Sequence, residues 1–155
     1  MKYAILSALG LLAASASAAP PSRAPVEHFG RPALNGRALP FSDAVRVGDV
    51  LYLSGQLGLG ADGKLPDGVE AQTKAAMDNI GAILKRAGVE YKDVVHCTAM
   101  LDDMADWPAF NGVYVTYFPP GKLPARSAFG TDGLALGGKV EIECQAYAGA
   151  SVPLK

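Results

Sequence analysis

The chain has 155 residues, half of them apolar and 19% charged, which describes one folded domain with a sizeable core and excludes a disordered or polyelectrolyte chain. Lys plus Arg number 14 and Asp plus Glu 15, a net charge of -1 that gives no electrostatic reason to expect nucleic acid as a partner. Two cysteines cannot build a four-cysteine zinc site, and the spacings Cys97 to Cys144 and His28 to His96 lack the paired close ligands of mixed sites, so no metal is expected.

The N-terminus reads as an export signal. Lys2 gives a small positive start, Ala4 to Leu12 an apolar stretch, and Ala13 to Ala19 a run of small residues. Ala16-Ser17-Ala18 matches the A-x-A cleavage pattern, so residues 1–18 are expected to be removed. The alternative is an uncleaved anchor, but a spanning helix needs about 18 or more apolar residues and this stretch is shorter. Cleavage leaves 13 cations against 15 anions, a charge of -2. The expected location is periplasmic or secreted, with no membrane span after cleavage. Export allows disulfides. Cys97 and Cys144 both fall inside predicted strands; whether they approach each other stays open, and they are read as buried free thiols rather than as a bridge.

Residues 19–38 carry Pro20, Pro21, Pro25 and Pro32 with little periodicity, and read as a flexible lead-in with room for a short extended piece at its end. Residues 39–155 form a single domain. Ala44 to Val47 and Val50 to Ser54 flank Gly48-Asp49, the pattern of a tight hairpin. Gly55 to Gly68 is a loop, with room for a second short hairpin around Asp62-Gly63. Asp67 to Ala87 is a helix, with Val69, Thr73, Ala76, Ile80, Ile83, Leu84 and Ala87 on its apolar face. Asp67 and Glu70 are placed for a capping box, Lys85 and Arg86 favour the last turn, and Gly88 is the expected left-handed stop.

Val94 to Leu101 is a strand. A second helix begins at Asp106, tolerates Pro108 in its first turn, and ends at Pro119-Pro120. Its aromatic stripe, Trp107, Phe110, Tyr114 and Tyr117, reads as core rather than as a ligand box. Arg126 to Phe129 is a short strand, and Lys139 to Ala148 the last one. The order β-β-α-β-α-β-β gives an α+β fold, a mixed sheet with both helices on one face. Along the last strand Val140, Ile142, Cys144 and Ala146 point one way and Glu141, Glu143 and Gln145 the other. The sheet's second face is therefore polar and either solvated or covered by another subunit.

No nucleophile elbow, dinucleotide loop or P-loop is present. Asp102, Asp103 and Asp106 read as a solvated loop and helix cap rather than a hard-cation site. What remains is Arg126 on one strand and Glu141 on the next. A guanidinium can clamp a carboxylate bidentately, and a carboxylate can orient or activate water. From spacing alone an ordinary Arg–Glu salt bridge explains the pair as well.

The motifs shift that balance. Leu53-Ser54-Gly55-Gln56, Met77-Asp78-Asn79-Ile80, Leu101-Asp102-Asp103, Asn111 with Tyr114 and Phe118, Pro124-Ala125-Arg126-Ser127 and Val140-Glu141-Ile142-Glu143 together resemble the reactive intermediate deaminases, the RidA or YjgF family, over Pro40 to Ala148. The resemblance implies the chorismate-mutase-like fold and a homotrimer with sites in the clefts between subunits. It implies hydrolysis of enamine and imine products such as 2-aminoacrylate to a 2-keto acid and ammonia, without a cofactor. It implies that Arg126 grips the substrate carboxylate, that Glu141 positions water, and that Ser54, Gly55 and Asn111 complete the pocket. Two positions depart from the family's pattern: Phe41 stands where a tyrosine is usual, and Ala128 where a cysteine is common. Phe41 can pack on a substrate but cannot donate a hydrogen bond. The alternative functions are a non-catalytic trimer that binds a carboxylate ligand, and an endoribonuclease.

Overall fold

The computed structural model describes residues 23–31 and 38–149. The expected signal, residues 1–18, lies outside them, as does part of the lead-in. Among the described residues seven strands form one sheet: β1 (Val26–Phe29), β2 (Ala44–Val47), β3 (Val50–Leu53), β4 (Gln56–Leu57), β5 (Val94–Leu101), β6 (Ala125–Gly130) and β7 (Val140–Tyr147). Two α-helices, α1 (Val69–Arg86) and α2 (Trp107–Tyr114), accompany them. The sheet order is β1-β2-β3-β7-β5-β6, and β4 pairs with β7 beyond the end of β3. Among the described residues only β5 and β6 run parallel; the crossover between them carries α2. The mixed sheet and two helices are those the pattern predicts.

The elements follow from local chemistry. Gly48, at φ 57°, makes the two-residue turn that sets Val47 against Val50. Helix α1 buries Val69, Thr73, Ala76, Met77, Ile80, Ile83 and Leu84 on one stripe. It stops at Gly88, φ 75°, where the amide of Val89 donates to the Leu84 carbonyl and that of Gly88 to Lys85. That pairing satisfies two of the helix's terminal carbonyls. The start of α1 departs from expectation. The residue before its first turn is Gly68, with φ 84°, and no side chain caps it. Asp67 therefore stands outside the helix, and Glu70 contributes only its charge to the first turn.

The lead-in is not wholly irregular. Val26–Phe29 pairs antiparallel with β2, from Val26 opposite Val47 to Phe29 opposite Ala44. Four residues with no amphipathic period of their own gain order from the partner strand, which local sequence does not advertise. The two-residue strand β4 arises the same way, held by Ile142 and Glu141 of β7. Before α2, a 3-10 turn over Met104–Asp106 is capped by Asp103, whose carboxylate accepts from the Ala105 amide.

The core lies between one sheet face and the helices, built from Leu51, Leu53, Ile80, Leu84, Phe110, Ile142 and their neighbours. Strand β7 alternates as predicted, with Val140, Ile142, Cys144 and Ala146 buried and Glu141, Glu143, Gln145 and Tyr147 on the open face. Among the described residues no helix is long and apolar enough to cross a membrane.

Cys97 and Cys144 are disulfide-bonded, which corrects the reading of two free thiols. They stand directly opposite on β5 and β7, with Cα atoms 4.1 Å apart and both side chains in the core. Facing positions on neighbouring strands bring Cβ atoms within bridging reach. The 47 residues between them in sequence hid that proximity.

Candidate active site

The expected site residues fall into two groups on opposite faces of the sheet. The first group gathers where β3 gives way to β4. The Ser54 hydroxyl donates to the Ser42 carbonyl at 2.7 Å, and the Ser54 amide donates to Asp43 at 2.9 Å. The Gln56 amide nitrogen donates to the carbonyls of Ser54 and Gly55, 3.0 Å each. These bonds lock the Ser-Gly-Gln backbone. Glu141 lies against it, its carboxylate filling the space that a Cβ on residue 55 would need, so only glycine lets the two approach. Burial pushes the Glu141 carboxyl above its ordinary range, and the neighbouring Glu143 carboxylate adds to the shift. Phe41, 53% exposed, precedes β2 nearby in the chain.

The second group lies on the helix face. Arg126 pairs in register with Cys97 on β5, and its guanidinium carbon stands 5.2 Å from the Trp107 ring centre, 5.3 Å from Phe110 and 4.8 Å from Tyr114. Ala128, two residues on and on the same face, packs against the core. Asn111 shares the α2 stripe with Trp107, Phe110 and Tyr114. The Asn111 Oδ1 and the Tyr114 hydroxyl are buried with no hydrogen-bond partner among the described residues. Burial raises the Tyr114 hydroxyl to about 12, opposed by the Arg126 charge. The aromatic stripe is thus core in Phe110 and Tyr114, as predicted, and also the wall around a cation, which the sequence reading did not foresee.

One chain does not bring Arg126 and Glu141 together. Glu141 aligns with Met100 and Met100 with Phe129, three residues beyond Arg126 on β6. Two strand spacings and three residues of rise separate their Cα atoms by about 14 Å, with the side chains on opposite faces. The salt bridge that spacing alone allowed is absent among the described residues, and Arg126 plays no part in the Glu141 shift. Ser54, Gly55 and Glu141 lie together in one group of residues; Asn111, Arg126 and Ala128 lie in the other.

Sequence reasoning passed over a third cluster. Asp43, 1% exposed, receives Arg31 at 2.7 Å and Arg86 at 2.5 Å. It ties β2 to the end of α1 and to the segment after β1. The three residues lie 12 and 43 positions apart, with no local pattern to signal them. Asp102, Asp103 and Asp106 do not converge: Asp103 caps a turn and Asp106 reaches Lys139 at 3.9 Å. Among the described residues no group of His, Cys, Asp and Glu could hold a metal ion.

Known proteins resemble this chain over most of the described residues. A family profile described as Endoribonuclease L-PSP matches residues 34–148. The 2-iminobutanoate/2-iminopropanoate deaminase of Mus musculus is 46% identical over 112 residues, 71% of this chain and 82% of that protein. The crystal structure of RidA from the Antarctic bacterium Psychrobacter sp. PAMC 21119 superposes with a TM-score of 0.67 at 38% identity, covering 70% of this chain and 88% of that one. E. coli TdcF, solved with bound serine, superposes with a TM-score of 0.68 at 29% identity, covering 72% and 91%.

Proposed function

The chain belongs to the Endoribonuclease L-PSP family, the RidA or YjgF proteins, and from that premise we propose that it is a hydrolytic deaminase of 2-imino acids, acting as an exported homotrimer. The observation that carries the reading is the pair of half-sites, a cation held by aromatic rings and a half-buried carboxylate against a glycine backbone. A second copy that lays its Arg126 face beside Glu141 completes a pocket with a carboxylate clamp at one end and a water-orienting group at the other. The open sheet face carries exposed Val26, Val47, Tyr52, Phe129 and Tyr147, apolar surface that subunit contact would cover. The serine held by the related E. coli protein is itself a small 2-amino acid.

In the reaction, Arg126 binds the substrate carboxylate through paired N–H donors. Water adds to the C=N carbon of the protonated imine while the Glu141 carboxylate takes its proton; Glu141 passes that proton to the carbinolamine nitrogen, the C–N bond breaks as the hydroxyl oxygen forms the carbonyl and returns its proton to Glu141, and ammonia and the 2-keto acid leave. A raised Glu141 accepts a proton more readily than an ordinary carboxylate, which suits a group that takes one and returns it. For an enamine substrate, a prior proton delivered to the β-carbon forms the imine. Positioning the electrophile and the water contributes several kcal/mol, and no redox step is needed. Export is supported by the signal-like N-terminus and by the Cys97–Cys144 bridge, a feature of oxidising compartments. The charge of -2 after cleavage argues against ribonuclease activity, the other reading that the family description raises.

The test is ammonia release from 2-aminoacrylate generated enzymatically, with and without the purified chain. The proposal expects faster release, and light scattering at three times the subunit mass. A carboxylate-binding trimer without turnover would leave the release rate unchanged and defeat the proposal.

A further inference from the structure

The Arg126 guanidinium is held in an unusual way. No carboxylate approaches it among the described residues, and no protein acceptor takes its N–H groups there. Its contacts are three ring systems on one stripe of α2, spaced at positions 107, 110 and 114, all within about 6 Å, the range over which a ring quadrupole attracts a cation. An aromatic face differs from a carboxylate in one respect that matters here. It stabilises the positive charge without consuming the planar N–H fork that recognises carboxylates. Phe110 and Tyr114 are packed into the core and into each other, ring centres 5.3 Å apart, so their walls are fixed from behind. Trp107 is half-buried at the first turn of α2, and the guanidinium lies over its ring as well.

We propose that Trp107 is the positioning residue of the carboxylate clamp: it completes an aromatic box that fixes Arg126 while leaving the guanidinium's N–H groups unspent, so that the site selects anionic 2-imino acids. The inference rests on the deaminase reading and adds to it the reason why the arginine is free to bind. Two polar atoms on the same stripe, Asn111 Oδ1 and the hydroxyl of the 3% exposed Tyr114, also lack protein partners among the described residues. Buried polar atoms ordinarily have a partner, so this patch has unmet hydrogen-bonding capacity beside the cation.

Trp107 is the only tryptophan in the chain, and this makes the inference directly measurable. Pyruvate, a stable 2-keto acid, serves as the probe. Titrated into the wild-type trimer it should change the intrinsic fluorescence saturably, and the change should vanish in Arg126→Ala. Trp107→Leu should raise KM for 2-iminopropanoate about 10-fold, with kcat within about 2-fold of wild type, because one cation–π contact is lost and the water-positioning half-site is untouched. Trp107→Phe keeps a ring and should restore KM to within about 2-fold of wild type. If Trp107→Leu keeps the wild-type KM, or loses only kcat, the aromatic box is not a positioning device and the inference is overturned. If Phe fails to rescue, packing volume rather than the ring face is responsible, and the inference is overturned equally. Arg126→Ala separates the two levels: wild-type kinetics in that variant would sink the deaminase site itself, whereas loss of activity there with an unaffected Trp107→Leu sinks only the box.

Discussion

Arg126 and Glu141 lie on opposite faces of one sheet, two strands apart. Arg126 looks toward α2 and its rings, and Glu141 toward the open face beside Gly55. Pairing across strand positions fixes this relationship, because alternate residues face alternate sides and a shift by an odd number of residues changes the face. Neither side chain satisfies the other within the chain. The proposed reaction uses both side chains, so in that proposal two copies of the chain meet at each site.

The pH dependence of turnover should report Glu141. Within one chain burial and then Glu143 raise its carboxyl, the Arg126 of a second copy in the proposed pocket opposes that shift, and the acid limb of kcat/KM should sit at the value these effects set together. Activity rises as pH climbs through that value, because the ionised form takes the proton from water. Glu143→Gln removes the like charge and leaves burial in place, so the limb should move to lower pH. A profile that stays put in Glu143→Gln would show that another group sets the limb.

The disulfide should matter for stability more than for catalysis, since both sulfurs are in the core on the helix side of the sheet. Closing a loop of 47 residues in sequence separation restricts the unfolded chain by about 4 kcal/mol in the loop-entropy picture. Reduced protein, or Cys97→Ala with Cys144→Ala, should unfold at a clearly lower denaturant concentration with kcat kept. Equal midpoints with and without reductant would show that the bridge contributes nothing net.

Asp43 should behave as a buried linchpin. Desolvation alone would raise its carboxyl, but hydrogen bonds from Arg31 and Arg86 outweigh that and hold it below the ordinary value of 3.8. A lowered folded value means stability that is present above the unfolded value and lost as pH falls through the folded one, so the effect is confined to below about pH 4. Asp43→Asn should cost about 1–3 kcal/mol at neutral pH, because two part-exposed cations lose their charge-assisted hydrogen bonds to a shared partner. It should also flatten the acid limb of the stability curve. A neutral-pH midpoint equal to wild type in urea would contradict the role.

Much of this architecture was legible in the sequence. The hairpin at Gly48, strand Val94–Leu101, the stop at Gly88 and the alternation of β7 are local signals, and each appears as predicted. The features that were not legible are non-local. Strands Val26–Phe29 and Gln56–Leu57 exist because β2 and β7 offer them partners. Cys97 meets Cys144, and Asp43 meets Arg31 and Arg86, only once the sheet is assembled. The site residues came from motif resemblance, and the sequence order of Arg126 and Glu141 suggested adjacency. It could not show that β5 stands between their strands. The aromatic stripe of α2 carried the right composition, but its role as a box depends on an arginine that arrives from β6.

The most direct measurement of the shared site is complementation between two inactive chains. Arg126→Ala and Glu141→Gln are each expected to lose most ammonia release from 2-iminopropanoate, while light scattering still gives trimers. Mixed one to one, unfolded and refolded together, they should regain about one quarter of wild-type activity. Random cyclic assembly pairs an intact Arg126 from one chain with an intact Glu141 from the next at about one interface in four. Mixed trimers that form and remain as inactive as the separate variants would contradict a site built from two copies of this chain.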